Sequence, residues 1–160
     1  MNKLPIIIGV LTVIFLGGWY FTAHAPETDE FPNEPIIVED FEGEADPNVM
    51  KLDMHTWKWI KSAWNNDTEF IPNRTGAFTL TFKDDGTFSA RTDCNNMGGN
   101  YEVVDNQITF GNMYSTEMYC EGSQENEFSK QLEEVQSFLF TSWGEMILEF
   151  KFDSGSMTFK

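Results

Sequence analysis

The side chains best suited to nucleophilic or metal chemistry in this 160-residue chain are two cysteines, Cys94 and Cys120, and two histidines, His24 and His55. A catalytic thiolate needs a base. A pairing of either cysteine with His55 is conceivable, but no motif spells it. Zinc would find four ligands in number, yet their spacing contains no close pair, and a long acidic stretch separates His24 from the rest. A redox pair would favour Cys-x-x-Cys, which is absent, although a non-local disulfide can still be labile. If the cysteines lie in an exported domain, an even count favours a disulfide, and two cysteines leave one connectivity. A Cys94–Cys120 bond would close a loop of about 26 residues and contribute about 3.5 kcal/mol on the chain-entropy model.

Carboxylates are plentiful, with 26 Asp and Glu against 10 Lys and Arg, and the formal net charge is -16. A glycosidase-type pair requires two of them close in space, which spacing along the chain does not show. The run "FKDDGT" lacks the alternating oxygen ligands of a calcium loop. Binding to phosphates depends on clustered Lys and Arg, so the charge argues against nucleic acid and anionic lipid surfaces as partners. The residues therefore point to a non-enzymatic protein, with no catalytic set, metal or cofactor.

The compartment is read from the N-terminus. Residues Leu4 to Ala23, "LPIIIGVLTVIFLGGWYFTA", carry no charge, and about 20 such residues suffice for a helix to cross a bilayer core. Lys3 precedes the segment, and no further Lys or Arg appears until Lys51. The positive-inside rule then puts the N-terminus in the cytoplasm and the remainder outside, periplasmic or extracellular, with Trp19, Tyr20 and Phe21 at the outer interface. Ala23-His24-Ala25 also fits a signal-peptidase site, but Pro26 next to the scissile bond disfavours cleavage, so residues 1–25 read as an anchor rather than a removed signal. Residues 26–54 form an acidic, Pro-rich linker: from Pro26 to Asn48 there are nine acidic residues, four prolines and no basic residue, a composition that does not offset the entropy of ordering.

From residue 55 to 160 the texture is that of an α+β domain, mostly antiparallel β in a compact sheet or barrel. Runs of β-branched and aromatic residues ("TWKWIKSAW", "AFTLTF", "TFSART", "NYEVV", "QITF", "MILEFKF", "SMTFK") alternate with Gly, Asn and Asp turns. Asp84-Asp85-Gly86, Asp105-Asn106 and Asp153-Ser154-Gly155 supply hairpin chemistry. One stretch, Ser123 to Phe138, has helical period: Phe128, Leu132 and Val135 fall at i, i+4 and i+7, with Ser123 as N-cap and Glu125 and Glu127 in the first turn. Around Cys94, Gly98 and Gly99 permit positive φ or a bulge, which predicts a tight loop.

These residues resemble the META domain, also called the HslJ-like domain, of bacterial envelope proteins. The resemblance rests on Trp57 in "TWKWI", Asp85-Gly86 in "TFKDDGTFSA", Cys94-Asn95 with Gly99 and Tyr101, and Thr116, Met118 and Cys120 in "STEMYC", followed by Glu127, Phe128 and Leu132. Two departures stand out: Asp93 replaces the usual Gly before the cysteine, and Asn96-Met97 replace a basic-aromatic pair. The resemblance implies a compact β domain with a helix, an envelope location and an association with stress response, and it carries no catalytic residues. The expected function is a membrane-anchored interaction or structural module, with the bilayer contacted through residues 4–23 and an envelope protein as partner. The alternative is a glycan- or small-ligand-binding module, for which cell-wall glycan would stack on exposed members of the set Trp57, Trp59, Trp64, Tyr101, Tyr114, Tyr119 and Trp143.

Overall fold

The computed structural model describes residues 44–160. The uncharged segment at 4–23 and most of the linker lie outside the described residues; among those described, no helix is long and apolar enough to cross a membrane. Ordered packing begins upstream of residue 55, since Leu52 is buried in a short 3-10 turn, Leu52–Met54.

Strand β1 (Trp57–Trp64) alternates, sending Trp57 and Trp59 inward and leaving Lys58 in water. An irregularity between Trp59 and Lys61 in its ladder with the last strand shifts the phase, so that Ser62 is the next residue to be buried. A two-residue strand, β2 (Glu69–Phe70), folds back on β1. Strands β3 (Thr79–Phe82) and β4 (Thr87–Arg91) make the hairpin expected around Asp84-Asp85-Gly86, paired from Thr79↔Arg91 to Phe82↔Phe88. Strands β5 (Asn96–Val104) and β6 (Gln107–Ser115) follow, joined at Asp105-Asn106. Helix α1 (Glu125–Glu133) leads into β7 (Val135–Phe140), β8 (Met146–Phe150) and β9 (Gly155–Phe159).

From β3 onward successive strands pair antiparallel, and β1 pairs with β9 as well as with β3, which closes the sheet into an up-and-down barrel with β2 as a short flap on β1. The interior is filled with side chains. Trp57, Trp59, Leu80, Phe88, Met146, Leu148, Phe150 and Phe159 are buried almost completely, each contributing about 1.5–3 kcal/mol or more. The seam between β6 and β7 has a single registered pair, Gln107↔Ser137. Helix α1 packs against β6 and sends Phe128 into the interior, with ring centroids 5.2 Å from Trp59 and 5.1 Å from Phe78.

Two expectations change. The helical pattern from Ser123 to Phe138 stops at Glu133, and Val135 opens a strand instead. Val135 satisfies either period, and five registered partners on β8, from Val135↔Phe150 to Phe140↔Met146, decide for the sheet. Gly98 and Gly99 lie inside β5 rather than in a tight loop; the bulge is present, as a register shift between Gly98 and Asn100. Both glycines lie at close approaches. A Cβ on Gly99 would lie 2.7 Å from the Phe88 ring and 2.8 Å from the Gly111 carbonyl, and one on Gly98 would lie 2.6 Å from the Tyr114 hydroxyl.

One polar link crosses the apolar interior. The buried Ser62 hydroxyl accepts from Trp59 Nε1 at 3.1 Å and donates to Gln131 Oε1, which ties α1 to β1. Buried polar atoms find partners here as folded proteins require.

Candidate functional site

The residues singled out in the sequence assemble around two chain crossings and one cap. The first crossing is centred on Asn95, buried at the entry to β5. Its Oδ1 accepts from the Thr116 hydroxyl at 2.7 Å and the Met118 N–H at 2.9 Å, while Nδ2 donates to the Met118 carbonyl at 3.0 Å and to Glu125 Oε1 at 3.4 Å. The amide thus uses both its donor and its acceptor end. The Asn95 backbone N–H donates to Thr92 Oγ1 at 2.7 Å and Glu125 Oε2 at 3.1 Å. Glu125 also accepts from the hydroxyls of Thr92 at 2.6 Å and Ser115 at 2.7 Å. Beside this hub, Cys94 and Cys120 form a disulfide with their Cα atoms 5.9 Å apart. Both thiols are committed to that bond, so neither is a nucleophile or a metal ligand in this state.

Asp93, a departure from the expected pattern, has a task of its own. Its Oδ2 accepts from the Gln124 N–H at 2.9 Å and its Oδ1 from the Ser123 hydroxyl at 2.6 Å, and Ser123 Oγ accepts in turn from the Glu125 N–H at 3.2 Å. The cap position is Gln124, one residue later than expected, and a carboxylate 31 residues upstream helps cap the helix.

The second crossing docks the β3–β4 turn on β5. Asp85 Oδ1 accepts from the Thr87 hydroxyl at 2.6 Å and the Thr87 N–H at 2.9 Å. Those two bonds, hydroxyl first, hold its carboxyl below the ordinary value. Gly86 takes φ +80°, and its carbonyl accepts from the Tyr101 N–H at 2.8 Å. The Tyr101 hydroxyl donates to the Lys83 carbonyl at 2.8 Å. Burial, followed by the charges of Asp53, Asp84 and Asp85, raises the Tyr101 phenol above its ordinary value.

Trp57 Nε1 donates to the Leu52 carbonyl at 2.7 Å, fastening the first turn over the barrel. His55 packs against Trp57 with the rings tilted by 46° and centroids 4.0 Å apart, and burial lowers its pKa. Of the aromatic set, Trp57 and Trp59 are core, Trp64 and Tyr101 are half-buried, and Tyr114, Tyr119 and Trp143 are exposed at 69%, 91% and 71%. Tyr119 borders a depression of about 290 Å³ beside the disulfide, lined also by Met118, Ser123, Glu125 and Asn126.

A family model described as the META domain matches residues 51–159. The chain belongs to the META domain family. No curated protein matches the chain. Among solved structures, an NMR structure of a protein from Burkholderia xenovorans is similar at 22% identity, over 68% of this chain and 82% of that one, with a TM-score of 0.59. A crystal structure of a DUF4847 family protein from Bacteroides vulgatus is similar at 18% identity, over 68% and 92%, with a TM-score of 0.52. At these identities the likeness concerns the fold.

Within this META domain, sequence reading missed Thr92 and Ser115, the helix-capping role of Asp93 and the hydrogen-bonding role of Glu125. Glu125 was visible only as a first-turn acid, and no local signal announces a contact across 30 residues.

Proposed function

We propose that this META domain is a non-enzymatic interaction or structural module of the cell envelope, associated with stress response. In this reading residues 4–23 hold it in the membrane and the acidic linker carries it on the extracytoplasmic side, where an envelope protein is its partner. One observation carries the non-enzymatic part: the residues that mark the family are engaged in holding the chain together. Asn95, Thr116, Met118 and the two cysteines fix one crossing, Asp85, Gly86 and Tyr101 another, and Trp57 the first turn. An oxidised pair also suits an exported domain.

Protease added to intact spheroplasts expressing the full chain tests the placement. The domain is expected to be digested from outside while a short N-terminal fragment stays with the membranes; full protection of the domain would sink the placement. Thiol alkylation before and after reduction tests the rest, with Cys94 and Cys120 expected to be blocked until reduction. A freely alkylated Cys94 together with thiol-exchange turnover by the purified chain would replace the module with an enzyme.

A second reading, ligand binding through exposed rings, is favoured at one place by the exposure of Tyr119 next to a polar depression.

A further inference from the structure

We propose that the Cys94–Cys120 loop is a carbohydrate-binding subsite, with Tyr119 as the stacking platform and an uncharged oligosaccharide as ligand. The proposal rests on the extracytoplasmic reading above, since that is where such a ligand is met.

Tyr119 is 91% exposed and its neighbour Met118 63%. A tyrosine normally buries a large apolar face; this one stays in water on an ordered loop. The loop is pinned on both sides of the ring. On one side the Asn95 amide holds the Met118 N–H and carbonyl at 2.9 and 3.0 Å; on the other, Cys120 is tied covalently to Cys94. The platform is therefore set before any ligand arrives, which lowers the ordering cost of binding.

The chemistry beside the ring is that of a sugar site. The apolar C–H face of a pyranose packs on a π-face, and its hydroxyls need neighbouring groups that donate and accept. Asn126 lines the depression together with Tyr119, and its carboxamide does both, while the Ser123 hydroxyl beside it is committed to the helix cap. Charge selects among glycans. From Thr92 to Ser129 the chain has no Lys or Arg, while Asp93, Glu117, Glu121, Glu125 and Glu127 all fall in that span. Arg74 donates to the Asp93 carbonyl at 3.4 Å and lines an adjoining depression with Cys120, Gly122 and Ser123, but not this one. Sulfated, phosphorylated or uronic-acid chains would be repelled; a neutral chain of N-acetylhexosamines would not.

The test titrates the full chain, in detergent micelles, with tetra-N-acetylchitotetraose and follows ring-labelled tyrosine resonances by NMR. Saturable shifts at Tyr119 are expected. Tyr119→Ala should weaken binding about tenfold or more, and Tyr119→Phe should stay within about twofold. Trp143→Ala should bind as the wild type does, and all three variants should melt together with it. Absence of saturable shifts in the wild type, or undiminished binding by Tyr119→Ala, would overturn the proposal. Shifts caused by tetralysine but not by the sugar would overturn it in favour of a cationic peptide. Its failure is separable from failure of the module reading: a domain shown to be extracytoplasmic that ignores the sugar refutes the subsite alone. Cleavage of the probe, seen by mass spectrometry, would refute the non-enzymatic reading and leave the subsite standing.

Discussion

The side chain of Asn95 pairs with the backbone of Met118 as another peptide group would, Oδ1 accepting from its N–H at 2.9 Å and Nδ2 donating to its carbonyl at 3.0 Å. The ladder between β5 and β6 is thereby continued by a side chain beyond Met97↔Ser115, into the segment that carries Tyr119 and Cys120.

Replacing Asn95 by Ala leaves the Met118 N–H and the Thr116 hydroxyl without their partner in a partly buried place. The expected loss is about 2–4 kcal/mol in urea unfolding. Asn95→Asp should be at least as damaging, because it loses the donor and sets a second carboxylate against Glu125. Asn96→Ala, at an exposed neighbour whose side chain makes no such bonds, should change stability by less than about 0.5 kcal/mol. Equal effects at the two positions would refute the pairing.

Reduction of Cys94–Cys120, or the double change Cys94→Ala and Cys120→Ala, should cost about 3.5 kcal/mol, the loop-closure entropy for this separation. That corresponds to a drop in melting temperature on the order of 10–15 °C. Combined with Asn95→Ala the loss should be non-additive, since both changes release the same segment. A strictly additive double-mutant cycle would show that the hub and the bridge act separately.

The glycine pair in β5 offers a contrast. Gly99→Ala drives a methyl group into the buried Phe88 ring and the Gly111 backbone, with an expected cost of about 1–3 kcal/mol. Gly98→Ala meets chiefly the end of an exposed Tyr114 side chain, which can swing away. Its cost should be the smaller of the two, and the reverse order in the urea midpoints would contradict the packing described.

The docked β3–β4 turn has a signature at each end of the pH scale. The folded pKa of Asp85 is depressed below 3.8, so its contribution is present above that value and is lost as pH falls through the lower folded pKa. The folded pKa of Tyr101 is raised above 10.0, so its contribution is complete below 10.0 and is lost as pH rises through the higher folded pKa. NMR titration of both side chains checks this. Thr87→Val, which removes the hydroxyl donor, should return Asp85 toward 3.8; an unchanged titration would show that the bonds from Thr87 are not the cause.

Much of the barrel was legible. Trp57 and Trp59 alternate with Lys58, and "AFTLTF" and "TFSART" flank an Asp-Gly turn, so period and turn chemistry alone predicted β1, β3 and β4. Strand β7 was not legible, because "VQSF" continues the spacing of Phe128 and Leu132, and only the partner strand β8 separates the two periods. The candidate site was legible as a set of residue types and not as a geometry.

The amino-acid sequence by itself determined which residues face inward along most strands, that two cysteines admit one bond, and where the hairpins turn. These follow from local rules: a side-chain period, a glycine's access to positive φ, an even count of thiols. The tertiary structure alone decided that Asp93 caps a helix, that Glu125 bonds Asn95, Thr92 and Ser115, and that Tyr119 stays in water while Trp57 and Trp59 are buried. Those relationships join residues far apart in the chain, and they exist only once closure of the barrel has brought the ends of β4, β5 and β6 to the first turn of α1.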